Sequence, residues 1–192
     1  HGLRYDALAR RFAALGYHIY AIDHWGHGRS DGRRGYVPDF TVFTAGMAAQ
    51  LDYVKAQHPD LPRFLLGHSM GGLIAVGHLM RAQGDYQAAA LSGPALAMQP
   101  QPSMVARGAA RLLSRFASRL GIMKLDGDAV SRDSAEVAAY RRDPLIYRGR
   151  MSARLAHQMI VNMARAQAGA TSITLPLFIQ HGGADRLTAP AG

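Results

Sequence analysis

The sequence has no cysteine among its 192 residues. This excludes a disulfide framework, a thiolate metal site and a cysteine nucleophile. It also lacks any run of about 18 apolar residues, so no segment predicts a membrane span. No secretory signal pattern is present, although the chain begins with His1 rather than methionine. The hydrophobic share of 48% predicts one globular domain with a sizeable core.

Acidic residues are scarce, with 13 Asp and Glu against 22 Lys and Arg, which gives a net charge of +9. Most of this excess falls between Pro94 and Ser172, where twelve basic residues face five acidic ones. Nucleic-acid binding would require interleaved aromatic side chains, and this segment has only three. The charge therefore favours contact with an anionic membrane surface, or simple solubility. We expect a cytoplasmic protein or one at the inner membrane surface, with no nucleic-acid partner.

Apolar runs alternate between helical and extended patterns along most of the chain. The patterns predict helices at Tyr5–Leu15, Phe43–Gln57 and Gly71–Ala82, and strands at His18–Ile22, Arg63–Leu66, Ala88–Leu91 and Pro176–Gln180. Alternating strands and helices predict an α/β fold with a mostly parallel sheet covered on both faces. The carboxyl ends of such strands, where active sites lie, carry Asp23, Ser69, Ser92 and Asp185.

The alternation stops between residues 94 and 172, which are helix-rich, basic and without a clear strand. We interpret this segment as an inserted helical cap over the strand ends. The predicted organisation is a core over 1–93, a cap over 94–172 and a return to the core over 173–192.

The segment Gly67-His68-Ser69-Met70-Gly71 lies between a predicted strand and a predicted helix. G-x-S-x-G in that setting is typical of the nucleophile elbow of serine hydrolases. A serine on so sharp a turn has a strained backbone, and its crowded neighbours must lack side chains. Ser69 is thus the candidate nucleophile. The backbone N–H of Met70, at the start of the helix, is a candidate donor to an oxyanion.

A serine nucleophile needs a base and an acid that orients it. Asp185 follows the last strand and two glycines, which makes it the candidate acid; Asp23, which precedes Ser69, is the competitor. All nine histidines precede Asp185. His24 and His181 are alternative bases near strand ends, but we expect the base to be a histidine beyond residue 192. The sequence predicts no metal site.

The segment from Met104 to Leu120 has an amphipathic helical pattern. One face groups apolar residues, and four arginines recur beside it: Arg107, Arg111, Arg115 and Arg119. This face could lie on a membrane or pack on the core, and the pattern favours neither. We assign Met104, Leu112, Leu113 and Phe116 as candidate substrate or lid residues, and the four arginines as candidate membrane-surface residues.

Several motifs together resemble the monoacylglycerol lipase and lysophospholipase family of α/β-hydrolases. They are Arg4-Tyr5 with Leu8-Ala9, the 21–30 stretch AIDHWGHGRS, the 64–72 stretch FLLGHSMGG, the 91–94 stretch LSGP, the 131–133 stretch SRD, the 143–145 stretch DPL and the 182–187 stretch GGADRL. The resemblance implies an α/β-hydrolase fold whose first strands and last strand and helix lie outside this sequence. It likewise implies that Ser69 is the nucleophile, Asp185 the acid and Met70 an oxyanion donor. His1-Gly2 resembles the family's oxyanion dipeptide, but its spacing to Arg4-Tyr5 favours a position a few residues further on.

The function so predicted is hydrolysis of monoacylglycerol or lysophospholipid esters through an acyl-enzyme on Ser69, without a cofactor. Two alternatives stay open. One is a short-chain or aryl carboxylesterase on the same fold. The other is a non-catalytic membrane-surface binding protein on a degenerate hydrolase fold.

Overall fold

The computed structural model describes residues 1–192 and has six α-helices and five strands. In chain order they are α1 (Asp6–Ala14), α2 (Thr41–Gln57), β1 (Phe64–His68), α3 (Met70–Ala82), β2 (Ala88–Ser92), α4 (Met104–Phe116), β3 (Gly121–Met123), α5 (Ser134–Arg142), β4 (Met151–Ser152), α6 (Ala153–Gly169) and β5 (Leu177–Gln180). Strands and helices alternate through the core, which confirms the α/β prediction.

The main sheet is parallel, with strand order β1-β2-β5. Its register aligns Leu65 with Ala89 and Ala89 with Leu177. Because side chains alternate along a strand, Leu65, Ala89 and Leu91 all point to one face, and they are buried there. The opposite face exposes Phe64 and Leu66. Parallel pairing brings the carboxyl ends of all three strands to one edge, where Ser69 follows β1 directly.

Helix α3 lies at the centre of the core. It packs against β1, α2 and α6, and Leu73, Ile74 and Leu79 are almost completely buried. Phe43 of α2 and Leu155 of α6 belong to the same buried cluster. An apolar helix that is buried nearly all round forms a rigid support, so the turn that precedes it is held firmly in place.

The strand predicted at His18–Ile22 does not form. No backbone hydrogen bond joins these residues to another segment, and a strand exists only through pairing with a neighbour. Side chains hold the segment instead: Tyr20 shares a hydrogen bond with His58, and His18 stacks on the same ring. The apolar run has the composition of a strand, but it contains no information about a pairing partner.

Residues 94–172 contain α4, α5 and α6, and α4 packs against α6. Two details differ from the sequence prediction. Helix α4 ends at Phe116 rather than near Leu120, and a short antiparallel pair joins β3, shortly after α4, to β4, directly before α6. Strands of three and two residues are too short to show an alternating pattern, so no sequence pattern predicts them. No helix combines the length and the apolar character needed to cross a bilayer.

Candidate active site

Ser69 occupies the turn between β1 and α3 with φ 53° and ψ −122°. It is the only non-glycine residue with positive φ, a conformation that a side chain makes unfavourable. Its N–H donates to the Ser92 carbonyl at 3.1 Å, and its carbonyl accepts from the N–H of Ala95 at 2.9 Å. These bonds attach the turn to the end of β2. The strained serine predicted for the elbow is therefore present.

Two glycines around this turn have no room for a side chain. A methyl group on Gly67 would lie 2.8 Å from the Gly71 carbonyl oxygen and 2.9 Å from the Ala75 side chain. A methyl group on Gly72 would lie 2.7 Å from Pro94 Cβ. Gly71, in contrast, has open space on its Cβ side. The expectation that crowding requires both motif glycines is thus right for Gly67 and wrong for Gly71, and the second crowded position is Gly72.

Met70 is the first residue of α3. Its N–H belongs to the first turn, whose donors have no intrahelical acceptor and carry the positive end of the helix dipole. Negative charge that develops beside Ser69 would be stabilised by this group.

The carboxylate of Asp185 is held by three donors from its own loop. Oδ1 accepts from the N–H of Leu187 at 2.8 Å and of Thr188 at 3.0 Å, and Oδ2 accepts from the Thr188 hydroxyl at 2.8 Å. Burial alone would favour the neutral acid, but these hydrogen bonds outweigh it and lower the pKa of Asp185 below its ordinary value. The group is therefore a fixed, ionised carboxylate at neutral pH.

Ser69 and Asp185 flank the same piece of backbone. Ser69 is bonded to Ser92, as described above, and the next residue, Gly93, has its Cβ side 3.7 Å from Asp185 Oδ2. The competitor Asp23 is engaged elsewhere, accepting from the backbone N–H groups of Gly2 at 2.6 Å and Arg29 at 2.7 Å. Asp23 thus stabilises the loop after residue 22.

The two alternative bases differ in their surroundings. His181 Nε2 lies 3.3 Å from Asp185 Oδ2 and 3.2 Å from the Thr188 hydroxyl. His24 packs edge-on against Phe43, and burial, helped by His27, lowers its pKa to about 4. His24 is thus neutral and enclosed, whereas His181 lies beside the candidate acid.

His1, considered above as part of an oxyanion dipeptide, has another role in the structure. Its Nε2 donates to Asp143 Oδ2 at 2.8 Å, and its side chain is almost fully buried. This bond connects the first residue with the segment after α5. Asp143 was not among the predicted site residues, and only its place in the DPL motif could have indicated it.

Helix α4 packs on α6 through small residues, since Ala110 and Ser114 are its buried positions. The apolar stripe faces outward: Met104 is 89% exposed, Phe116 76% and Leu112 60%, and only Leu113 of the four candidates is half-buried. Arg107, Arg111, Arg115 and Arg119 are exposed beside the stripe. The stripe is therefore not packed on the core, which was one of the two arrangements that the sequence left open.

Thr188 was also not anticipated. It is buried at 7% exposure, and its backbone pairs with Met98 while its hydroxyl holds Asp185. The only feature of the sequence that could have indicated this role is the position of Thr188, three residues after the candidate acid. No group of three or more His, Asp or Glu side chains is arranged to hold a metal ion.

Comparisons with known proteins agree with this geometry. The family model described as serine aminopeptidase, S33 (Hydrolase_4) matches residues 1–192. A monoacylglycerol lipase of Mycolicibacterium smegmatis is 40% identical over all of this chain and 69% of the relative. The human monoglyceride lipase is 34% identical over all of this chain and 64% of the relative.

Among solved structures, the crystal structure of Paleococcus ferrophilus monoacylglycerol lipase superposes with a TM-score of 0.89 at 30% identity, covering 100% of this chain and 72% of that one. The chain thus spans about two thirds of the length of these relatives. The matches confirm the predicted resemblance and the α/β-hydrolase fold. The chain belongs to the serine aminopeptidase S33 family of α/β-hydrolases, in the group that contains the monoacylglycerol lipases.

Proposed function

We propose that the protein carrying this chain is a serine hydrolase that cleaves carboxylic esters of monoacylglycerol or lysophospholipid type. The observation that carries the proposal is the strained Ser69 at the start of α3, with the fixed carboxylate of Asp185 on the other side of Ser92–Gly93. The relatives named as monoacylglycerol and monoglyceride lipases support this substrate class.

In the proposed reaction, the Ser69 hydroxyl attacks the ester carbonyl carbon and passes its proton to a histidine outside these 192 residues. The N–H of Met70 stabilises the negative charge on the carbonyl oxygen. The histidine then protonates the leaving glycerol, and an acyl-enzyme remains on Ser69. Water, deprotonated by the same histidine, releases the fatty acid. Asp185 orients the imidazole and stabilises its charged form.

The exposed stripe of α4 supports a lipid substrate. Leu112 and Phe116 present apolar surface to solvent beside a row of arginines, an arrangement that suits the boundary between acyl chains and phosphate groups. We propose that α4 contacts the lipid surface and that residues 94–172 form the cap over the site.

A fluorophosphonate probe on the full-length protein tests the nucleophile. We expect rapid labelling of wild type and none of Ser69→Ala, with Ser92→Ala as the matched control that still labels. Equal labelling of Ser69→Ala and wild type would refute the assignment. If Asp185→Asn keeps its activity, the assignment of Asp185 as the acid is refuted. If His181→Gln folds normally but loses activity, His181 replaces the histidine outside these residues as the candidate base.

Substrate class is tested by comparing kcat/KM for a long-chain monoacylglycerol and a short p-nitrophenyl ester. Leu112→Ser with Phe116→Ser should reduce hydrolysis of the long-chain ester and spare the short one. A wild type that prefers the short ester would instead support the carboxylesterase alternative. Absence of any hydrolysis together with vesicle binding would support the non-catalytic binding protein.

A further inference from the structure

A crevice of about 340 Å³ lies between the loop after residue 22 and Arg119, which follows α4. Its walls are Trp25, Arg33, Tyr36, Pro38 and Arg119. Arg119 lies three residues after the end of α4 at Phe116. It is separate from Ser69 and Asp185, and the proposed reaction makes no use of it.

The indole of Trp25, which forms one wall of the crevice, packs directly against the backbone of Gly32. Trp25 lies so close to Gly32, which has φ +101°, that a methyl group on Gly32 would overlap the indole. Trp25, the only tryptophan of the chain, is nevertheless 40% exposed. An exposed indole with a fixed position favours the polar boundary of a lipid layer, where its ring is apolar and its N–H is hydrated.

The two arginines of the crevice have no acidic partner. The ion pairs of the chain involve other residues, and the Arg119 guanidinium lies over the face of Tyr36 at 6.0 Å. Guanidinium groups present several donors in a plane and bind phosphate oxygens well. Two unpaired arginines that line one crevice with Trp25 and Tyr36 thus supply donors suited to a phosphate group.

We propose that this crevice binds the phosphate headgroup of an anionic phospholipid in the membrane, beside α4. The inference rests on the proposed lipid contact of α4 and adds a headgroup site to it. The apolar stripe supplies affinity for any lipid surface, and Arg33 and Arg119 supply preference for an anionic one. Their contribution is electrostatic, so it weakens as salt rises.

Vesicle binding of the full-length protein tests the site, with vesicles of phosphatidylcholine alone and of phosphatidylcholine with equal phosphatidylglycerol. We expect Arg33→Gln with Arg119→Gln to weaken binding to the mixed vesicles about twenty-fivefold at low salt, since each basic residue near an anionic surface contributes roughly fivefold. Binding to phosphatidylcholine alone should not change. The matched control is Arg11→Gln with Arg81→Gln, which removes the same charge from core helices and should have little effect.

Trp25 gives a direct second readout, because its emission should shift to shorter wavelength with mixed vesicles and not with inorganic phosphate. An equal loss in both double variants, or a shift with inorganic phosphate but not with vesicles, would overturn the headgroup site while leaving the α4 contact intact. If the protein binds neither kind of vesicle, both the headgroup site and the α4 contact are overturned. The ester-hydrolase proposal is then judged separately on a soluble ester.

Discussion

Replacing Gly72 with alanine places a methyl group against Pro94, at 2.7 Å from Cβ and 2.9 Å from Cα. Carbon atoms pack best at about 3.5–4.0 Å, so these contacts are at least about 0.6–0.8 Å too short. Pro94 cannot withdraw easily, because the next residue donates its N–H to the Ser69 carbonyl. Overpacking of this kind destabilises by about 1–3 kcal/mol. Alanine regains up to about 1 kcal/mol through helix propensity, which leaves a net loss of about 0–2 kcal/mol where that gain is complete.

The neighbouring Gly71 supplies a matched control, because its Cβ side is open. Gly71→Ala should be neutral or stabilise by up to about 1 kcal/mol. The free energies of unfolding of the two full-length variants, measured by urea denaturation, should therefore differ by about 2 kcal/mol. Two variants of equal stability would show that Pro94 moves aside without penalty, and the steric explanation for Gly72 would be refuted.

Three further changes test other parts of the structure. Thr188→Val removes the hydroxyl that donates to Asp185, and should lower kcat about tenfold with KM unchanged; Thr188→Ser should retain activity, and an equal loss in both would contradict a hydrogen-bonding role. His24→Leu should flatten stability against pH between about 6.5 and 4. The pKa of His24 is lowered in the folded state to about 4, so the unfolded state binds the proton first and wild type loses stability as pH falls through this window; unfolding titrations with identical slopes would contradict this. Ser103→Ala removes the oxygen that accepts the Ala106 N–H at the start of α4; hydrogen exchange in α4 should accelerate as expected for a loss of about 1 kcal/mol, whereas Ser103→Thr should match wild type.

Local signals were sufficient for the features that are themselves local. The G-x-S-x-G pattern predicted the strained turn at Ser69, because its geometry is set by a few adjacent residues. The same reasoning misplaced the crowding at Gly71, since it depended on where Pro94 lies after β2. That position follows from parallel pairing of two strands more than twenty residues apart in sequence.

Features that depend on contact with a distant segment of the chain could not be predicted from the sequence. His18–Ile22 has the composition of a strand but no neighbour to pair with. The pattern of α4 predicted a helix with an apolar stripe, yet not the direction in which the stripe faces. That direction is set by Ala110 and Ser114, whose small side chains allow close approach to α6. An amphipathic pattern records how residues are distributed around a helix, and packing decides which side is covered.

The backbone of Ser69 also has a consequence for how the sequence can vary. Glycine would adopt φ 53° without penalty, so a serine here destabilises the fold by about 1 kcal/mol or more. Random mutagenesis followed by selection for thermal stability alone should therefore enrich glycine at position 69. The selected proteins should be more stable and inactive. Stability and nucleophilic catalysis therefore place opposite demands on residue 69.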